Sequence, residues 1–392
     1  MLKISLKQNL IKLGIAFFFT YSSVAIALPV VSIFVKESLN LSNWLGGFAV
    51  GVSFISTIFS RKYAGNFADN KSSKKCFILG FIIYMFAALI CMGASISNLG
   101  VIVSFMILIV GRLLLGIGES MSTVGITGWH LLQLGPEHSG KILAVMGMAM
   151  YGAFVLGGPM GLALYKAFGF NAVMAVSFIM PIIGIMLFRT APEIKPQKFT
   201  NRTKKSFWGL LSLIWKQGVT ITLQGIGFAV LGAFISLYFQ NQGWPYAGAG
   251  LSLFGLGFVI SRILFGSLPD KKGGVKVALA SLIVEALGQG LLWMAPHYAL
   301  ALLGALLTGL GCSMIYPAMG VEVIKKVSPA QRSTAFGGFS MFQDIAYAFS
   351  APIGGVIADR FGYSSIFLLG FIAAITGIAI VCSMIEYKYN EY

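Results

Sequence analysis

Four ionisable residues stand inside long apolar stretches of this chain: Arg112, Glu119, Glu285 and Asp344. A charge at the centre of an apolar medium costs about 2.5–3.5 kcal/mol even on lenient scales, so each needs a purpose. Desolvation favours the neutral form of a carboxyl, which suits it to taking up and releasing a proton. The alternative for each acid is a charge neutralised by a neighbouring helix. Arg112 and Glu119 are seven residues apart and share a helix face about 10 Å apart along the axis. That is too far for a direct ion pair but suits a shared polar cavity. Glu285 has Gln289 one turn on, on the same face, and Asp344 has Gln343, Tyr347 and Ser350 near it in sequence. Two further apolar stretches carry Thr20, Tyr21, Ser22 and Ser23, and Thr220, Thr222 and Gln224. Ser and Thr hydroxyls readily bond back to their own helix, so Tyr21 and Gln224 are the stronger candidates for a polar contact beyond it. No phosphate-binding loop, nucleophile–base pair or metal-ligand cluster can be placed, so no enzyme activity, cofactor or metal is expected.

These residues must be positioned by helices in a lipid bilayer. The 392 residues are 57% hydrophobic and 10% charged, with a mean hydropathy of +0.86, whereas soluble domains carry about 25% charged residues. Apolar runs of about 20 residues recur, the length of a membrane-crossing helix. The alternating segments of about 10 residues that a barrel needs are absent. The fold class is an all-α polytopic membrane protein with twelve spans. They run roughly 13–36, 44–62, 77–97, 100–125, 142–165 and 171–189, then 217–239, 247–268, 276–296, 299–322, 335–357 and 363–387. The first is longer than a signal-peptide core and reads as a span. A polar, basic linker at 190–206 separates an N-terminal bundle, 1–189, from a C-terminal bundle, 207–392. Residues 207–216 read as an amphipathic lead-in with Trp208 and Trp215 at interface depth.

The net charge of +16 could suggest nucleic acid, but the placement of the bases argues for lipid instead. On this span assignment 23 of the 28 lysines and arginines fall on one side, which the positive-inside rule makes cytoplasmic. Both termini are then cytoplasmic, and no nucleic-acid partner is expected. Cys76, Cys91, Cys312 and Cys382 show no paired spacing and read as small hydrophobes.

The chain also repeats itself. Gly65, Ala68, Asp69, Lys74 and Lys75 in a short basic segment at 63–76 find a weaker copy 201 residues on, in Gly266, Asp270, Lys271 and Lys272. At an offset of 193, Gly111, Gly116, Gly118, Ser120 and Met121 match Gly304, Gly309, Gly311, Ser313 and Met314. The same offset takes Pro159 and Gly161 to Pro352 and Gly354, and Phe168 and Gly169 to Phe361 and Gly362. The two offsets require an eight-residue difference in or near span 3 against span 9. Two similar six-helix halves describe a transporter built from parallel repeats.

On these residues the chain resembles the major facilitator superfamily. Gly65, Asn66, Phe67, Ala68 and Asp69, followed by Lys74 and Lys75, are similar to its signature between helices 2 and 3. Asn70 stands where an arginine is usual, and Ser73 where a glycine is usual. Arg112 followed by Gly116 and Gly118 resembles the helix-4 signature. Gly157, Gly158, Pro159 and Gly161 resemble the glycine–proline signature of its drug–proton antiporter branches, without some of the earlier glycines. Ser281 to Glu285, residues 309–323, and Phe342, Gln343 and Asp344 look like bacterial exporters labelled arabinose-efflux-permease-like.

The resemblance implies an MFS fold and alternating access at the bacterial inner membrane, as a monomer. Gly65, Asp69, Lys74, Lys75, Gly266 and Asp270 would then form the gating loops. Asp69 would latch onto a helix N-terminus near residues 333–338, and Lys74 and Lys75 would rest on anionic lipid. Arg112 would couple cavity electrostatics to proton movement. Spans 1 and 7 would line the cavity, placing Tyr21 and Gln224 at the substrate. The glycine–proline segment of span 5 would either move during cycling or pack statically. The expected activity is proton-coupled export of a small polar or amphipathic molecule such as a drug, a sugar-like metabolite or a metallophore. A proton-coupled uptake symporter is the alternative, and a non-transporting sensor or scaffold a remote one, since no loop exceeds about 20 residues.

Overall fold

A computed structural model describes residues 2–96, 100–134, 139–189, 192–193, 207–327 and 332–389. The described residues are helical throughout apart from short connections, as lipid demands of a backbone with no water to bond. The helices are α1 (Leu2–Ile33), extended by a π-helical turn Phe34–Ser38, α2 (Asn43–Asn70), α3 (Ser73–Gly93), α4 (Val101–Leu134) and α5 (Ser139–Phe188). After the linker come α6 (Phe207–Leu213), α7 (Trp215–Asn241), α8 (Ala249–Phe265), α9 (Leu268–Lys272), α10 (Gly274–Trp293), α11 (Tyr298–Lys326), α12 (Arg332–Phe361) and α13 (Ser364–Tyr389).

Nine helices among the described residues are long and apolar enough to cross a membrane. One of them, Val145–Phe188, has 44 residues, enough for two crossings. Gly169 divides it with a φ of 78°, a left-handed conformation that glycine adopts without Cβ strain. Gly362, its counterpart 193 residues on, has a φ of 84° and separates α12 from α13. With the shorter apolar α8 and the less apolar α12, each span read from the sequence coincides with a helix or half of one.

The chain divides into two compact units, Met1–Lys198 and Phe199–Tyr392. Most of the 190–206 linker lies outside the described residues. In the first unit α1 packs along α5, α3 along α4, and α2 along α4. In the second, α10 packs along α11, α8 along α11, and α7 against α11, α12 and α13.

Backbone contacts at glycine repeat from one unit to the other, as helices in lipid pack through small residues. Gly116 lies so close to α2 that a Cβ there would overlap the Ser53 carbonyl, and Gly309 stands in the same relation to Phe254 on α8. Gly118 rests on Gly80 and Tyr84, and Gly311 on Ser281 and Glu285. Gly111 meets Ala87 and Cys91, while Gly304 meets Gly288 and Leu292. Partners on α3 and α10 keep the 201 offset as far as Cys91 and Leu292. Partners on α4 and α11 keep 193 from Gly111 and Gly304. The eight-residue difference therefore falls within residues 91–111 and their counterpart, the hairpin joining these helices.

The basic segment at 63–76 is not a loop at Gly65, as the gating-loop expectation had it. Helix α2 runs on through Gly65 and Ala68 to Asn70, and the break is two residues, Lys71 and Ser72. Ala64, Ala68 and Cys76 are buried with Phe67, Met121 and Val124 packed on them, so this last stretch has an apolar face that holds it helical. Ser72 caps α3 by accepting from the Lys75 amide at 3.2 Å. In the second unit the matching segment is broken instead. α8 stops at Phe265, Pro269 opens the short α9, and Gly273 turns the chain with a φ of 86°.

Candidate functional site

In the first unit the ionisable residues gather around Arg112. The side chain is 2% exposed. Its Nε donates to the Ala49 carbonyl at 2.9 Å, and one terminal nitrogen donates to the Val50 carbonyl and Ser53 Oγ at 3.2 and 3.3 Å. All three acceptors belong to α2, which Gly116 admits close enough to α4 for the guanidinium to bridge them. Glu119, Tyr84, Tyr21 and Cys91 lie within electrostatic reach of this cation. Tyr84 also lies near Glu119 and Ser122, and Glu119 is half-buried. Arg112 and Glu119 thus lie within electrostatic reach of each other, and a further neighbour of both, Tyr84, was not among the sequence candidates. Its signal was the repeat, because Tyr84 is the residue 201 positions before Glu285.

Tyr21 is buried on α1 and meets Phe154 of α5 edge-on at 5.9 Å. The neighbouring hydroxyls divide. Thr20 and Ser22 bond back to Ala16 and Phe18, and Thr220 to Lys216. Ser23 donates to the Ser177 carbonyl of α5, and Thr222 to the Phe342 carbonyl of α12.

In the second unit Glu285 and Gln289 are wholly buried on α10 and face Gly227 of α7. Gln289 donates to the Gly227 carbonyl at 3.3 Å. Gln224 is buried one turn before Gly227. Cys312 of α11 lies beside both Glu285 and Gln224. A thiol is a weak donor, and neither Glu285 oxygen has a hydrogen-bond partner among the described residues. Reading Cys312 as a plain small hydrophobe therefore missed a neighbour of the carboxyl. Here too the repeat held the signal, since Cys312 matches Glu119 at the 193 offset. Each unit places a carboxyl where its third and fourth long helices meet, half-buried on α4 in the first and wholly buried on α10 in the second.

Asp344 belongs to a different place. Gly218, Thr222 and Gly225 of α7 meet Phe342, Ala346 and Tyr347 of α12, whereas Gln224 and Gly227 lie on the opposite side of α7 with Glu285. Asp344 is buried, two residues past Phe342 and so turned from the α7-facing stripe. Gln343 is half-buried.

The span-5 motif is a packing surface in this structure. Gly157 lies on Ala25, and Gly161 sits so near α1 that a Cβ would overlap the Ile26 carbonyl. Gly158 is buried and Pro159 exposed. Of the basic segment, Gly65 has open space where a Cβ would stand, and the side chain of Asp69 lies outside the described residues. Gly266 and Asp270 are exposed. Lys74 donates to the Arg189 carbonyl at 3.0 Å, Lys75 pairs with Glu193 at 3.8 Å, and Trp129 Nε1 donates to the Pro192 carbonyl at 2.9 Å. The two lysines expected to rest on lipid reach the segment leaving α5 in this structure. Trp208 and Trp215 are both exposed, and Lys326 donates to the Leu213 carbonyl at 3.4 Å.

Paired helical bundles that repeat one another and seal ionisable groups among their spans have the anatomy of a secondary transporter. The chain belongs to the Major Facilitator Superfamily, whose pattern matches residues 13–275 and 218–390. It is 38% identical over 373 residues to an uncharacterized MFS-type transporter of Salmonella typhimurium, covering 95% of each chain. It is 32% identical to another of Burkholderia mallei, covering 93% of this chain and 88% of the relative. Among solved structures it resembles a mutant of the nucleoside transporter NupG, with a TM-score of 0.76 and 15% identity over 96% of this chain and 99% of that one. The D-xylose-proton symporter follows at 0.74 and 16%, over 95% and 97%. Similarity at that level shows the fold. Family membership makes the chain a multi-pass membrane transporter and not an enzyme.

Proposed function

We propose that the chain is a proton-coupled exporter, exchanging inward protons for an outward small polar or amphipathic molecule by alternating access. The supporting observation is that carboxyls are enclosed within the spans of both units: Glu119 beside Arg112 and Tyr84 in one, Glu285 and Asp344 in the other. Such groups can carry protons through an apolar medium, and a fixed guanidinium beside Glu119 favours a polar or zwitterionic substrate. Export over uptake rests on the antiporter-like Gly157, Gly158, Pro159 and Gly161. In this reading the six-helix halves are 1–189 and 207–392, joined by a cytoplasmic 190–206 linker. Both termini are cytoplasmic, in the bacterial inner membrane. The segments around Gly65 and Asp69, and Gly266 and Asp270, act in gating.

Everted vesicles carrying the protein test this. With an acid interior already formed, panels of amphipathic drugs, sugars and metal chelators should contain a compound that releases the gradient. Glu285→Gln and Asp344→Asn should abolish that release with expression near normal. A compound taken up with protons instead would establish symport, and proton-driven exchange unimpaired in both variants would remove the proton-carrier assignment.

A further inference from the structure

The turn from α6 into α7 gathers positive charge from two helices. Leu210 and Ile214 are buried in one cluster with Val327, Ala335 and Phe339, which fixes α6 to the second unit. Trp208, Leu213 and Trp215 stand exposed. The helix breaks at Ile214, and α7 begins at Trp215. Lys216 Nζ lies 5.9 Å from the Trp215 ring centroid and donates to Ser383 Oγ of α13 at 3.1 Å. Lys326, the last residue of α11, reaches the same turn and donates to the Leu213 carbonyl at 3.4 Å. Gln217, with its amide turned so that both ends are satisfied, accepts from Lys326 Nζ and donates to the Ile214 carbonyl, each at 3.2 Å. The two ammonium groups lie within electrostatic reach of each other.

Like charges held together repel unless an anion joins them. The acid within reach of Lys326 is Glu322, and its carboxylate is already engaged. One oxygen accepts from Lys325 Nζ at 2.8 Å and from the Gly274 amide at 3.0 Å. No Asp or Glu occurs from Ile194 to Pro269, and residues 194–206 carry five bases. On α13, Glu386 and Lys388 follow Ser383 by three and five residues and cancel in charge. Their side chains lie outside the described residues. An ammonium has three donors. Among the described residues Lys216 gives one to Ser383, and Lys326 gives two to Leu213 and Gln217. Two N–H groups on Lys216 and one on Lys326 are left for the oxygens of an anion. The first unit has no copy of this pair, since the residue matching Lys326 at the 193 offset is Gln133.

The exposed apolar residues decide the source of that anion. Indole rings settle at the level of lipid headgroups, and lysine stems lie along apolar surface with the charge in water. A free anion makes no use of Trp208, Leu213 and Trp215. A phospholipid matches both features, with its phosphate on the lysines and its acyl chains along the apolar side chains. We propose that Lys216 and Lys326 bind the phosphate of one anionic phospholipid, seated at the α6–α7 turn against Leu213 and Trp215. The site needs only that the chain spans a bilayer, and it is independent of proton coupling and of the direction of transport.

The test reads binding. The purified full chain in detergent is melted at constant ionic strength while phosphatidylglycerol is added, and again with phosphatidylcholine of the same acyl chains or with glycerol phosphate. A ligand bound by the folded state raises the melting temperature by mass action. Phosphatidylglycerol should give a saturable rise of several degrees that the other two lack. The double variant Lys216→Gln/Lys326→Gln should raise the half-saturating lipid concentration about tenfold or more. Lys271→Gln/Lys272→Gln removes the same charge from the exposed α9 and should leave it unchanged. Where the first double variant does not fold, each of its single substitutions should still weaken the lipid severalfold. An equal rise with phosphatidylcholine, or no rise at all, would overturn the site. An equal rise with glycerol phosphate would make it a site for a free anion and overturn the lipid. Half-saturation unchanged in the Lys216 and Lys326 variants, or weakened as much by the α9 pair, would reduce the effect to general surface charge and overturn the proposal.

Discussion

Replacing Gly65 with alanine separates the stability of α2 from its motion. Gly65 lies inside a helix that continues to Asn70, and a Cβ there meets nothing within 4 Å. Glycine in a helix interior costs about 0.8–1 kcal/mol relative to alanine, and no overlap offsets that gain. The variant should thus be more stable by about 1 kcal/mol. For a unit of the first unit's size this is a rise of roughly 2–4 °C in melting temperature, readable on detergent-purified protein. If the missing side chain is needed for a close approach during cycling, turnover should fall on the order of tenfold, equivalent to about 1.4 kcal/mol on the barrier. Initial exchange rates in vesicles with matched protein levels measure this. Raised stability with undiminished turnover would refute the gating role of Gly65. Lowered stability would refute the continuous helix itself.

Four other substitutions probe the packing and the buried cation. Arg112→Lys keeps the charge but cannot span the Ala49, Val50 and Ser53 acceptors. With charge-assisted bonds worth about 1.5–3 kcal/mol each, losing one or two should lower the melting temperature visibly, and a wild-type melting curve would contradict the bridging geometry. Gly116→Ala and Gly309→Ala place a methyl on the Ser53 and Phe254 carbonyls, so each should cost about 1–3 kcal/mol by overpacking. A neutral result at Gly309 would break the equivalence of the repeats. Gly169→Ala must hold a φ of 78° with a Cβ and should lose about 1–2 kcal/mol, measured the same way.

Much of the fold was legible in the sequence because lipid leaves the backbone little choice. Apolar runs of spanning length had to be helices, and each span lies along one, with spans 5 and 6 divided at Gly169 by its positive φ; α1 begins eleven residues before its span, and α2 and α4 run eight and nine residues past theirs. The repeat was also legible, and its two offsets now have a contact-level meaning in Gly116 with Ser53 and Gly309 with Phe254. The charged candidates stood out because charge is rare in an apolar run. Their neighbours did not. Tyr84 and Cys312 are ordinary residues of apolar helices, and nothing local marks them as facing Glu119 or Glu285.

The sequence by itself determined the membrane-spanning class, the doubled architecture and the ionisable residues worth following. Tertiary structure alone decided which of them meet. A helix that is apolar all round carries no stripe to say which face turns inward, so its rotation is set by packing at small residues. That rotation brought Gln224 and Gly227 to Glu285 while turning Gly218, Thr222 and Gly225 toward α12. It let Arg112 reach the carbonyls of α2, and it turned the expected loop at Gly65 into the end of a helix.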